Sequence, residues 1–138
     1  MARRGTRGLF TSRRRIPLTG RAPLARTDVV LVSFPFTDLS AESVRPALIV
    51  GRVSRDDVLL AFITSRAPRE EVDADNSSQH TIAPRDAEFD RTGLKVGSTI
   101  RLDRLATLNQ RLVRRRLGRI GPVTEHAVAA CLRHVFEL

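Results

Sequence analysis

Hydrophobic residues along this chain fall into short blocks separated by polar, turn-forming stretches. Residues 29–32 (VVLV) and 47–50 (ALIV) are aliphatic, mostly β-branched, and the segment between them is rich in Pro, Thr, Asp, Ser and Glu. That pattern predicts strand, polar loop, strand, hence an antiparallel pair. Residues 57–64 (DVLLAFIT) repeat the buried-strand pattern. In residues 98–103 (STIRLD) the side chains alternate, so Thr99, Arg101 and Asp103 share one face while Ser98, Ile100 and Leu102 share the other. Strands are predicted near 28–34, 45–54, 57–64, 79–83, 98–103 and 112–120. Short strands joined by polar loops imply a mainly β domain built as a small, bent antiparallel sheet or SH3-like barrel. The period then turns helical. Gly121 fits an N-cap and Pro122 the first helical position, and Ala127, Val128, Cys131, Leu132, Val135 and Phe136 form an apolar stripe that predicts a C-terminal helix packed on the sheet.

Two stretches stand outside this pattern. Residues 1–26 carry eight Arg, no acid and no sustained hydrophobic period, and are expected to be a disordered extension, leaving 27–138 as one domain. Residues 66–78 (RAPREEVDADNSS) are charged and turn-rich, which suggests a mobile lid at the edge of a site.

The formal net charge of +9 changes meaning once it is located. The extension holds eight of those charges, and the remainder of the chain balances sixteen basic against fifteen acidic side chains. Within the domain the signs are segregated: seven Arg and one Asp lie from 101 to 119, nine acids and three Arg from 56 to 90. Such a dipolar arrangement steers a polyanion toward one face. A single cysteine, Cys131, excludes an intramolecular disulfide and a thiolate metal cluster, in keeping with a reducing cytoplasm. No apolar run approaches the ~20 residues that cross a bilayer, so no membrane role is expected.

Candidate chemistry starts at Arg45-Pro46. Pro46 has no N–H for a sheet ladder and fits a strand start, which holds Arg45 at a loop-to-strand mouth where its planar fork of donors suits a phosphate; the plain alternative is an ion pair with a nearby acid such as Glu42. Thr64 and Ser65 put two hydroxyls where a strand ends, either beside a ligand or capping the turn backbone. Arg101 and Asp103 are close enough to act on one bound group, or to pair with each other. Arg114 and Arg115, in a run of three arginines, suit an RNA backbone or a solvated face. His80, His126 and His134 are expected at the surface, and no spacing among them and Cys131 makes a metal site.

Taken in order, VVLVSFPFTD, VRPALIV, FITS, TGLKVGSTIRLDRLATL and LVRRRLGRIG resemble the PemK/MazF family of type II toxin-antitoxin endoribonucleases. Because both Arg101 and Asp103 are present, the sequence is nearer the Kid/PemK branch. It departs from the family at Thr27, where a Gly is common. The resemblance implies the CcdB/MazF toxin fold and a sequence-selective, metal-independent cut of single-stranded RNA through a 2′,3′-cyclic phosphate, with no cofactor. It also implies a homodimer, a cognate antitoxin and a cytoplasmic location. It makes Arg45, Thr64, Arg101 and Asp103 catalytic, with Arg45 stabilising the phosphorane, Asp103 as base and Arg101 as proton donor or second cation. Ser65, Arg114 and Arg115 then bind RNA. The alternatives are a CcdB-like gyrase poison and a catalytically silent RNA- or antitoxin-binding barrel.

Overall fold

The structure, a computed structural model, describes residues 23–34, 43–65 and 77–138. Expectations for residues 1–22, and for 66–76 of the predicted lid, lie outside these residues. The strands are β1 (Asp28–Phe34), β2 (Ser43–Arg52), β3 (Asp57–Thr64), β4 (Gln79–Ile82), β5 (Ser98–Asn109) and β6 (Val113–Arg119), followed by the helix α1 (Pro122–Phe136). Every pairing is antiparallel, in the order β4-β5-β3-β2-β1-β6. The mainly β architecture with a closing helix is therefore as the sequence predicts.

The chain length between β5 and β6 dictates how far the sheet coils. These strands are four places apart in the sheet, roughly 19 Å if it were flat. They are joined only by Gln110–Leu112, a single 3-10 turn, and four residue steps span at most about 14 Å. The sheet must therefore curl until its far strands approach each other. One face turns inward around Val30, Val32, Phe34, Ala47, Ile49, Val58, Leu60 and Val113. The opposite face carries Val29, Leu48, Ala61, Ile63, Ile100 and Leu102 and packs against Val128 and Cys131 of α1, which rests on β4 and β5.

β5 runs six residues beyond its predicted end because it is bulged. Phe62 pairs with Arg101 but the preceding Ala61 pairs with Leu105, so Leu102, Asp103 and Arg104 fall between consecutive rungs. Extra residues on one strand shift the two-residue alternation and bend the strand. The apolar period is broken there, and the strand pattern is hidden with it.

Three contacts between distant segments fix the ends of the domain. Gly121 and Pro122 take the predicted positions at the start of α1, but Gly121 has no side chain to cap with. Glu88 does so from the β4–β5 connection, accepting from the Val123 and Thr124 amides at 2.9 and 2.8 Å and from Thr124 Oγ1 at 2.7 Å. A Cβ at position 121 would sit on that carboxylate, which is why glycine stands here. At the start of β1, Asp28 is fully buried and accepts from Arg116 Nη2 at 2.8 Å, Arg119 Nε at 3.2 Å and the Ala25 amide at 2.8 Å. Arg116 also donates to the Pro23 carbonyl and Arg52 to that of Leu24, so packed contacts extend upstream of residue 27. Finally, Thr27 has φ of 84°, a left-handed geometry that is costly for a β-branched residue and open to glycine. It is held there by its amide donating to Ile49 O and its carbonyl accepting from the Ile120 amide.

Candidate active site

Sheet register brings the separated catalytic candidates onto neighbouring rungs. Arg45 lies across from Val32 of β1, on the inward face. Ala47 pairs with Phe62, and two residues further along each strand the same register sets Arg45 level with Thr64. Thr64 pairs with Thr99, and Thr99 with Thr81 of β4. One rung deeper, Phe62 pairs with Arg101 and Arg101 with Gln79. Arg45, Thr64 and Arg101 thus share one face of three adjacent strands, at the end of the sheet where β2 and β5 begin and β3 ends. Phe34 and Phe62, with ring centroids 4.9 Å apart, form the apolar floor beside them.

The electrostatics of this end depend on the Arg101–Asp103 pair. Arg101 Nε donates to one carboxylate oxygen at 3.0 Å and Nη2 to the other at 2.8 Å. This is the two-pronged geometry that guanidinium and carboxylate favour. The side chains retain 29% and 36% exposure, so the pair is within reach of a ligand. The hydrogen bonds from Arg101 hold the Asp103 carboxyl below its ordinary value, although partial burial pulls the other way. Thr81 and Thr99 share a 3.1 Å hydroxyl–hydroxyl contact. The sequence predicts a strand at 79–83 without singling out Gln79 or Thr81; three of the four residues in QHTI are polar, so their facing follows only from the pairing with β5.

The predicted RNA-binding residues do not all join this array. Ser65 is exposed at the bend just past β3. Arg115 lies across from Leu31, and Arg114 donates to Ser33 Oγ at 2.8 Å. Leu31 and Ser33 alternate with the inward Val30, Val32 and Phe34, so Arg114 and Arg115 sit on the opposite, helix-side face. Arg116 is committed to Asp28. His126 and His134 are exposed as expected. His80 is half-buried across from Ile100 on the helix side, where burial lowers its pKa against the opposing pull of Asp86 and Glu88. It faces away from the array. Among the described residues, no group of three His, Cys, Asp or Glu side chains is placed to hold a metal ion, and no helix is long and apolar enough to cross a membrane.

The sequence profile described as the PemK-like, MazF-like toxin of type II toxin-antitoxin systems matches residues 25–136. The chain belongs to this toxin family. No curated protein sequence matches it significantly. Solved structures do resemble the toxin. A mycobacterial endoribonuclease in complex with its cognate antitoxin shares 21% identity and a TM-score of 0.61, covering 85% of this chain and 97% of its own. The Mycobacterium tuberculosis toxin MazF-mt6 gives 18% identity and a TM-score of 0.60, covering 80% and 97%. MazF from Deinococcus radiodurans gives 16% and 0.57, covering 86% and 100%. At these identities the likeness establishes the fold of the toxin, and its chemistry must be argued from its own residues.

Proposed function

We propose that this toxin is a metal-independent, sequence-selective endoribonuclease that cuts single-stranded RNA. The observation that supports the reading best is the shared face of Arg45, Thr64 and Arg101 in a member of the toxin family. In the reaction, the ribose 2′-oxygen bonds to the adjacent phosphorus as its proton leaves to a base. The bond from phosphorus to the 5′-oxygen breaks, and that oxygen takes up a proton. The products are a 2′,3′-cyclic phosphate and a free 5′-hydroxyl. Charge builds on the non-bridging oxygens in the transition state, where preorganised cations act most strongly. Arg45, exposed within the first residues of β2, serves as the principal stabiliser of that charge, Arg101 as the second cation, and Thr64 as a hydroxyl that orients the phosphate. Ser65 extends the contact along the strand of RNA. Arg114 and Arg115 meet RNA only where it passes round the β1–β6 side of the sheet.

A cognate antitoxin is the expected partner, as in the mycobacterial complex. The barrel is proposed to pair as a homodimer and to act in the cytoplasm. The decisive experiment incubates the purified toxin with RNA in EDTA and maps the new 5′ ends. Discrete cuts bearing 5′-hydroxyls are expected. Cutting that stops in chelator and returns with magnesium would overturn the mechanism, and RNA binding without any cut would favour a silent binding barrel. Sedimentation at micromolar concentration checks the dimer.

A further inference from the structure

We propose that Asp103 is a positioning residue and not the base: its carboxylate grips the Nε–Nη2 edge of Arg101 and aims that guanidinium at the phosphate bound by Arg45 and Thr64. The inference rests on the endoribonuclease reading above and refines the same site.

The geometry comes from the bulge in β5. Leu102 is fully buried on the helix side, and its amide donates to Ser78 O at 3.0 Å. That fixes the strand immediately after Arg101. Asp103 then falls in the stretch that has no rung on β3, so its side chain is free of the regular pleat and leans back along the strand onto Arg101. Both carboxylate oxygens are occupied, at 3.0 and 2.8 Å, by a guanidinium whose own strand position is set by Phe62 on one side and Gln79 on the other. A long side chain with about 2 kcal/mol of rotamer entropy is thereby given one direction. Such pre-organisation matters because misplacing a group by about 1 Å costs on the order of 100-fold in rate.

The same contacts make Asp103 a poor base. Taking the 2′-proton on a remaining lone pair would neutralise the carboxylate and so weaken two charge-assisted hydrogen bonds at once. Those bonds also lower its proton affinity, and a less basic group removes a proton less effectively at neutral pH. With the carboxyl held below its ordinary value, the pair stays intact through neutral and mildly acidic conditions and is lost only as pH falls through that depressed value.

Positioning and base catalysis predict opposite signs in one measurement. Asp103 is a negative charge beside a polyanion site, so removing it should tighten RNA binding if it does nothing for Arg101. If it orients Arg101, its removal should weaken binding even without chemistry. The test uses the full chain, the RNA it cuts, and the same RNA with 2′-deoxyribose at the mapped cut. Asp103→Ala is expected to weaken binding of the deoxy strand several-fold. In single-turnover cleavage, the Arg101→Ala/Asp103→Ala double variant should be no slower than Arg101→Ala alone, within about 2-fold, because residues acting as one unit are non-additive. The pH–rate profile of Asp103→Ala should keep the limbs of the parent toxin. Tighter or unchanged binding by Asp103→Ala, a further large loss in the double variant, or disappearance of the acid limb would each overturn the inference. Absence of any cleavage by the parent toxin would instead overturn the endoribonuclease reading beneath it.

Discussion

Both ends of the barrel are organised by aspartate–arginine pairing, and the two pairings differ in burial. At the start of β1, Asp28 is 0% exposed and held by Arg116 and Arg119. At the bulge in β5, Asp103 is 36% exposed and held by Arg101. A buried carboxylate cannot be stripped of its partners without leaving an unpaired charge away from water, so the first pairing maintains the fold. A half-exposed pair contributes little to stability, yet its guanidinium remains within reach of a phosphate. The same two residue types thus make a lock where water is excluded and, on the proposed reading, a tool where it is admitted.

The largest expected effect is at the lock. Replacing Arg116 and Arg119 together by Ala, which strands the buried Asp28 carboxylate, should lower unfolding free energy by about 3–5 kcal/mol while leaving the cleavage rate per folded molecule unchanged, measured by denaturant titration alongside a single-turnover assay. A selective loss of rate would mean that the two ends are not separate. Arg45→Ala is the converse. It should slow cleavage by about 100-fold or more and change stability by under about 1 kcal/mol. If it unfolds the toxin, the strand mouth belongs to the scaffold. Smaller still is Thr27→Gly beside Asp28, expected to stabilise by roughly 0.5–1 kcal/mol because a left-handed β-branched residue is relieved at some entropic cost. A destabilised Thr27→Gly variant would show that the threonine side chain holds the lock closed. The smallest effect belongs to Arg115→Ala on the helix-side face. It should leave the cutting rate near that of the parent and take about 1 off the log–log salt slope of RNA binding where RNA reaches that side. A loss matching that of Arg45→Ala would dissolve the distinction between the faces.

What was legible in the sequence was local. The alternation in STIRLD puts Thr99 and Arg101 on one face, the Arg45-Pro46 pair lies near a strand start, although β2 begins at Ser43 and Pro46 pairs with Leu31 inside it, and the apolar stripe after Gly121 marks the helix. All three reflect the period of a single element. The lock was not legible, because Asp28 meets Arg116 and Arg119 only through the β1–β6 pairing. Nor was the helix cap, since the carboxylate that satisfies the Val123 and Thr124 amides comes from residue 88. The facing of Arg114 and Arg115 was lost in a strand whose register slips twice, between Val29 and Val30 and between Leu31 and Val32 of its partner. The glycine that the family commonly has at position 27 was visible as a departure, and the φ of 84° there gives its physical reason.

The pairing of β1 with β6 also governs when the molecule can come into being on a ribosome. Among the described residues, β1 is the first strand made, and its second neighbour, β6, the last. A nascent chain that stops short of residue 113 already contains Arg45, Thr64, Arg101 and Asp103. It has no strand along the far edge of β1, neither arginine for the Asp28 carboxylate, and no helix over Ile63, Ile100 and Leu102. Nothing then holds the candidate face level. On the proposed reading, interrupted synthesis therefore yields a fragment that carries the candidate residues without the scaffold that levels them, and activity waits until β6 and α1 have left the ribosome.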